Sequence, residues 1–564
     1  MKTSNRIFIL LLLLLPVFAM QAQVPAAPSR YVVYFKNKNN SPYSVNNPQQ
    51  FLSQRALDRR ARYNIVVDMV DIPVTPQYIT GVANTGVVIL NKSKWLNCVT
   101  IWTADPAVLS QISALPYVQS VAPIARRKAN DSNPVKDINR GKEPKVRTPS
   151  MAKSGNATLD YGLGANQINM FNGQVLHQLG FMGQGMQIAV LDAGFQGVDA
   201  HDIFDSLFIN NQILGTRDFV NPGNSDVYQF NTHGTYVLSC MGGNLPGQLV
   251  GTAPKASYWL LRTEEGASEN IIEEYNWSSG AEYADSAGAD VINSSLGYTV
   301  FDDTLANHTF ADLDGDKTPI TRAADFAASR GMMVVNSAGN SGSGGWLRIG
   351  APADADSIIT VGAVDSTGTY VQFSSKGPSA DGRVKPNVCA RGRNAWVANL
   401  AGGIMQGSGT SFSSPIMAGA VTCFWQAHLS NNNMTIIDAV QRSASQFNNP
   451  DSLMGYGIPD FSVAGQFLPT DIANLAANKD EILNIFPNPF YGTFNIIYRP
   501  EKSKGIDVTV TDMGGKKVFS KNYAVKPGEA NTIVLTGLEN TPKGQYVVTV
   551  KSGKQRMSKT LMKE

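Results

Sequence analysis

Cysteine is scarce in this 564-residue chain, with only Cys98, Cys240, Cys389 and Cys423, too few to staple a fold with a disulfide framework. Charge is also sparse: charged residues make up 16% and hydrophobic ones 43%, which excludes a mainly disordered chain and supports large cores. The net charge of only +3 gives no electrostatic footprint for nucleic acid, and no nucleic-acid partner is expected. Long apolar runs are missing apart from residues 7–15, which fall short of the roughly 20 residues that a membrane span needs. With Lys2 and Arg6 before this run, and Pro16, Ala19 and Ala22 after it, residues 1–22 read as a secretory signal peptide cut after Ala22. Histidine is limited to five residues, which narrows any search for a general base. Length alone allows about three or four domains.

Four strings carry chemistry. The apolar stretch Ile188-Ala189-Val190-Leu191 ends in Asp192, as a buried parallel strand ends in a functional residue at its carboxyl end. Asn231-Thr232-His233-Gly234-Thr235 opens a helical pattern, whereas His177, His201, His308 and His428 lack comparable surroundings and are read as packing or surface residues. Gly409-Thr410-Ser411 precedes Pro415 and a long apolar helix, so Ser411 stands at a helix amino terminus, where unpaired N–H groups and the helix dipole favour a developing oxyanion. Proline is tolerated only in a first turn, which places Pro415 there. Finally, Val334-Val335 runs through Ser337, Ala338 and Gly339 to Asn340.

In this order and with these neighbours, the strings resemble the subtilisin-like serine peptidases. The resemblance implies an Asp192–His233–Ser411 triad that works through an acyl-enzyme, with Asn340 as second oxyanion donor. It further implies that the substrate backbone lies as an added strand on Ser295, Leu296 and Gly297, and that this segment and Ser337, Ala338 and Gly339 flank the specificity pocket. A binding protein on a decayed scaffold would lack at least one of these residues. The fold class expected is α/β, a doubly wound parallel sheet over residues 156–468, with helix 324–331 feeding the Met333 strand and a strand at 358–364.

Ahead of the peptidase, residues 23–125 read as a small α+β unit: a strand at 31–35, a basic helix at 51–60, strands at 86–90 and 98–102, a helix at 106–115 and a closing strand at 118–124. This pattern resembles the inhibitory pro-domain of the same peptidases. Residues 126–155, rich in Lys, Arg, Pro, Asn and Ser, read as an exposed linker where cleavage activates the zymogen. Loss of Cys98 with this unit would leave an odd number of cysteines, so the others are read as small buried apolar residues.

Residues 480–564 read as a small all-β sandwich. Their Phe486-Pro487-Asn488-Pro489 opening, the Asp512-Met513-Gly514-Gly515-Lys516 turn and the basic ending resemble the carboxyl-terminal sorting domain of type IX secretion cargo, which implies export across an outer membrane to the surface or medium. The partners expected are protein or peptide substrates, the chain's own pro-domain and the outer-membrane secretion machinery. No cofactor is expected. Asp312-Leu313-Asp314-Gly315-Asp316 resembles the start of a calcium loop, but Ala323 stands where a closing glutamate belongs, so it is read as a solvated turn and no metal is assigned.

Overall fold

Strand formation begins where apolar, partly β-branched residues leave no polar face. The computed structural model describes residues 28–126, 159–468 and 481–563, apart from 225, 487–489, 491, 501, 528–530 and 554. The signal peptide, all but the first residue of the expected 126–155 linker, and Pro487-Asn488-Pro489 lie outside the described residues.

The amino-terminal unit comprises β1 (Pro28–Phe35), α1 (Gln54–Arg62), α2 (Pro76–Ala83), β2 (Val88–Ser93), β3 (Cys98–Trp102), α3 (Val108–Ser113) and β4 (Val118–Arg126). Its sheet has the order β2-β3-β1-β4. The basic helix starts later than residues 51–60 suggest, because Ser53 caps it by accepting from Ala56 N.

The peptidase unit contributes β5 (Gln187–Asp192), β6 (Ile213–Asp218), α4 (His233–Gly242), β7 (Ser257–Arg262), α5 (Ile272–Ala287), β8 (Val291–Ser294), α6 (Pro319–Ser329), β9 (Met333–Ser337), β10 (Ile359–Val364), β11 (Val388–Arg391), α7 (Thr410–Ala427) and α8 (Asn433–Arg442). The seven strands form one parallel sheet, in the order β11-β10-β9-β8-β5-β7-β6. Chain order reverses beside β5, and this is where an open α/β sheet leaves a crevice at its carboxyl edge. Two cores cover its faces: α4 and α7 pack with Val190 and Val335 on one side, and α5 and α6 with Leu191 and Ile292 on the other.

The amino-terminal sheet docks on α5. Tyr34 and Tyr275 hydroxyls meet at 2.8 Å, and Asn91 Nδ2 donates to Asn276 Oδ1 at 2.9 Å. Glu282 accepts from Ser93 Oγ and from the backbone N–H groups of Lys94 and Trp95, at 2.5, 2.7 and 3.0 Å. Asp285, wholly buried, takes three cations at once: Arg59 at 2.6 Å, Arg60 at 2.9 Å and Lys94 at 3.0 Å.

The carboxyl-terminal unit folds as β12 (Glu481–Phe486), β13 (Phe494–Arg499), β14 (Gly505–Asp512), β15 (Lys517–Ala524), β16 (Asn531–Leu535), β17 (Gly544–Ser552) and β18 (Gln555–Lys563). Two antiparallel sheets, β12-β13-β16 and β15-β14-β17-β18, enclose one core around Phe494, Val508 and Val548. Among the described residues, no helix is long and apolar enough to cross a membrane.

Candidate active site

Asp192 closes β5 and is fully buried. Its Oδ1 accepts from Ala193 N and from His233 Nδ1, both at 2.8 Å. A carboxylate can only accept, so this contact fixes the ring proton on Nδ1 and leaves Nε2 to take a proton. His233 is the first residue of α4, its side chain 31% exposed to the crevice. Its backbone N–H is held by Asn231 Oδ1 at 2.9 Å. Burial pushes the imidazole pKa down, but the charge and hydrogen bond of Asp192, helped by the charge of Glu264, outweigh that and hold it above the ordinary histidine value of 6.5.

Ser411 is the second residue of α7, and the ring of the next residue, Phe412, lies 6.4 Å from the His233 ring. This contact sets the start of α7 beside His233. In the structure Ser411 Oγ donates to Ser295 O at 3.4 Å, while Ser295 Oγ donates back to Ser411 O at 2.9 Å.

The second of these bonds explains a correction. Pro415 is not in the first turn but inside α7, four residues after Ser411. Having no N–H, it leaves Ser411 O without its helical donor, and Ser295 Oγ supplies the missing bond. The substrate-strand candidate and the nucleophile candidate are thereby fastened together.

Asn340 is oriented by the residue before Ser411. Its Oδ1 accepts from Thr410 N at 2.9 Å and Thr410 Oγ1 at 3.0 Å, so its NH2 group is the end left for another partner. Gly339 has φ +102°, which a side chain would strain, and its N–H donates to Thr410 Oγ1 at 3.2 Å. Ser337 and Ala338 are buried at the end of β9. Leu296 is buried as well, its carbonyl taken by Asn336 Nδ2 at 3.1 Å, while Gly297 is exposed at the rim. Sequence reasoning missed Ser295 as a helix patch, Thr410 as the clamp on Asn340, and Glu264. The threonine inside Gly409-Thr410-Ser411 was the available signal for the clamp.

The remaining histidines have local roles. His177 is buried between Tyr161 and Thr252 O, its pKa lowered to about 4 by burial. His308 bonds Glu274 at 2.5 Å. The four cysteines are buried and unpaired. In the aspartate-rich turn, Asp312 accepts from Thr309, Asp314 pairs with Lys317 at 2.9 Å, and Gly315 N donates to Asp354.

Residues 183–457 match the Subtilase family, residues 30–139 the Peptidase S8 propeptide domain of Bacteroidota, and residues 484–564 the Secretion system C-terminal sorting domain. Subtilisin E of Bacillus subtilis (strain 168) is 29% identical over 304 residues, covering 53% of this chain and 70% of its own length. Subtilisin DY of Bacillus licheniformis is 30% identical over 266 residues, covering 47% of this chain and 83% of its own. Among solved structures, MycP1 from Mycobacterium smegmatis aligns with a TM-score of 0.42 at 21% identity, over 56% of this chain and 87% of that one. The chain belongs to the subtilase family, as a serine-type endopeptidase that carries a propeptide and a type IX sorting domain.

Proposed function

We propose that this peptidase hydrolyses peptide bonds in proteins through Asp192, His233 and Ser411. His233 Nε2 takes the Ser411 proton as Oγ attacks the scissile carbonyl. Asp192 holds the ring and stabilises the imidazolium, which then protonates the leaving amine, and water releases the acyl group from Ser411 by the same steps. The Asn340 NH2 and backbone N–H groups at the start of α7 stabilise the tetrahedral oxyanion. The substrate lies extended on Ser295, Leu296 and Gly297, with the side chain before the scissile bond entering the pocket flanked by Ser337, Ala338 and Gly339. The observation that carries this reading is the 2.8 Å bond from His233 to a buried carboxylate, with Ser411 in the first turn of the adjoining helix. So written, the reaction needs no cofactor or metal.

In this reading residues 1–22 direct export, 23–125 form the inhibitory pro-domain, 126–155 the linker cut on activation, 156–468 the peptidase and 480–564 the sorting domain, with the product released or held at the outer surface. A fluorophosphonate probe is expected to label processed protein on Ser411, and Ser411→Ala to abolish both labelling and protein cleavage. Labelling at another serine, or cleavage that survives Ser411→Ala, would overturn it. Full activity with residues 31–124 retained uncut would overturn the zymogen reading.

A further inference from the structure

The mechanism leaves one carboxylate at the crevice without a role. Glu264 follows closely on β7, whose register sets Arg262 beside Asp192, and the intervening Thr263 N donates to Asp192 O at 2.9 Å. The segment then passes the histidine loop, where a Cβ on Gly266 would stand 2.2 Å from Asn231 Nδ2. Buried Tyr298, next in sequence to Gly297, donates from its hydroxyl to Glu264 Oε2 at 3.3 Å. Glu264 is thus held between the histidine and the segment on which the substrate is laid.

Its basic neighbour is committed elsewhere: Arg262 pairs with Asp218 at 3.0 Å and Glu265 at 3.3 Å. Among the described residues no lysine or arginine pairs with Glu264. Burial and the charge of Asp192 push its carboxyl up to about 7, with His233 acting in the opposite sense. A cation brought against it would relieve that cost.

An extended peptide turns successive side chains to opposite faces. If the residue before the scissile bond enters the pocket at Ser337 to Gly339, the one before that faces the other way, toward His233 and Glu264. The chain itself carries matching charge. Pro123, Ile124 and Ala125 at the end of β4 line a pocket with Asn270 and Ile271, which follow Glu264 by only a few residues along the chain, and the sequence continues Arg126-Arg127-Lys128.

We propose that Glu264 makes this peptidase selective for substrates with lysine or arginine at the second residue before the scissile bond. This deepens the peptidase reading and rests on it.

The test uses processed wild-type protein, Glu264→Gln and Glu264→Lys, each normalised to its fluorophosphonate-labelled fraction. Fluorogenic peptides that differ only at the second position before the scissile bond (Lys, Arg, Leu or Glu) are assayed on the alkaline plateau of activity. Wild type is expected to favour Lys and Arg over Leu by about tenfold or more in kcat/KM, as a partly desolvated charge pair gives. Glu264→Gln is expected to cut the Lys-to-Leu ratio by about tenfold, and Glu264→Lys to turn the preference toward Glu. A wild-type ratio near one, a ratio unchanged in Glu264→Gln, or an equal slowing of every substrate would overturn the proposal. Protein that neither labels nor cleaves would sink the peptidase reading with it, whereas labelled protein indifferent to this position would sink the proposal alone.

Discussion

Bonds to the oxygen of a side-chain amide fix which way its NH2 group points, and Thr410 does this for Asn340 with two bonds, at 2.9 and 3.0 Å. Asn340→Ala should therefore lower kcat by about 10²–10³ with little change in KM, the loss known for this donor in subtilisin, a relative of this chain. Steady-state kinetics with a peptide substrate checks it, and a change confined to KM would contradict it. The histidine makes a prediction about pH. Its pKa is raised above 6.5 mainly by Asp192 against the effect of burial, and only the neutral ring can accept the serine proton. Hence kcat/KM should fall as pH drops, with a midpoint above 6.5, and Glu264→Gln, which removes a charge that favours the imidazolium, should move this midpoint down. A pH series on both proteins decides the sign. Asp192, His233, Asn340 and Ser411 were legible as candidates because their four strings, taken together and in this order, resemble those of the subtilisin-like peptidases. Glu264 was not, since nothing near Glu264-Glu265-Gly266 announces a crevice; its meaning comes from Tyr298 and His233, which only folding brings near.

Among the elements, α5 is the surface on which the pro-domain depends. Burial pushes the Asp285 pKa up, but Lys94, Arg60 and Arg59 overcome it and hold the carboxyl at about 2, below the ordinary 3.8. The sign follows from linkage: the stabilisation is complete above 3.8 and is lost as pH falls through about 2. Asp285→Asn, made in unprocessed Ser411→Ala protein, leaves buried Arg59 and Lys94 without an ion pair, while Arg60 keeps Asp71, and should cost about 3–5 kcal/mol. Thermal unfolding should show a clear fall in Tm, and an unchanged Tm would contradict the assignment. Element boundaries were the least legible feature. The α2 helix at Pro76–Ala83 went unread because Ile79, Thr80, Gly81 and Val82 are weak helix formers, and its stability comes from burying Tyr78 and Val82 in the pro-domain core. The closing strand Gln555–Lys563 looked like a basic tail. Its lysines and Arg556 crowd an edge strand, where charge discourages pairing with other chains, while Leu561 turns inward. Pro415 was expected in a first turn because the sequence does not disclose that Ser295, more than a hundred residues away, replaces its missing hydrogen bond.

At the level of the whole molecule, the parallel sheet makes the site possible, by bringing the ends of β5 and β9 and the starts of α4 and α7 to one edge although they are spread over residues 187–427. That architecture was readable from alternating apolar strands and helices, whereas the docking of the pro-domain sheet on α5 was not, because it depends on ion pairs between segments far apart in sequence. The carboxyl-terminal sandwich has its own core, so a chain cut before residue 481 should fold and label with fluorophosphonate but stay inside the outer membrane. Fractionation of the producing cells checks this, and undiminished export would contradict a sorting role.

Asp192, His233 and Ser411 are proposed to act as one unit. The most direct measurement of this compares peptide-cleavage rates of Ser411→Ala, His233→Ala and the triple alanine variant against wild type, all processed identically. Either single change is expected to cost about as much as all three, the behaviour known for subtilisin, a relative of this chain, leaving a small residual rate. Losses that multiply from one substitution to the next, or a Ser411→Ala protein that keeps most of its activity, would contradict it.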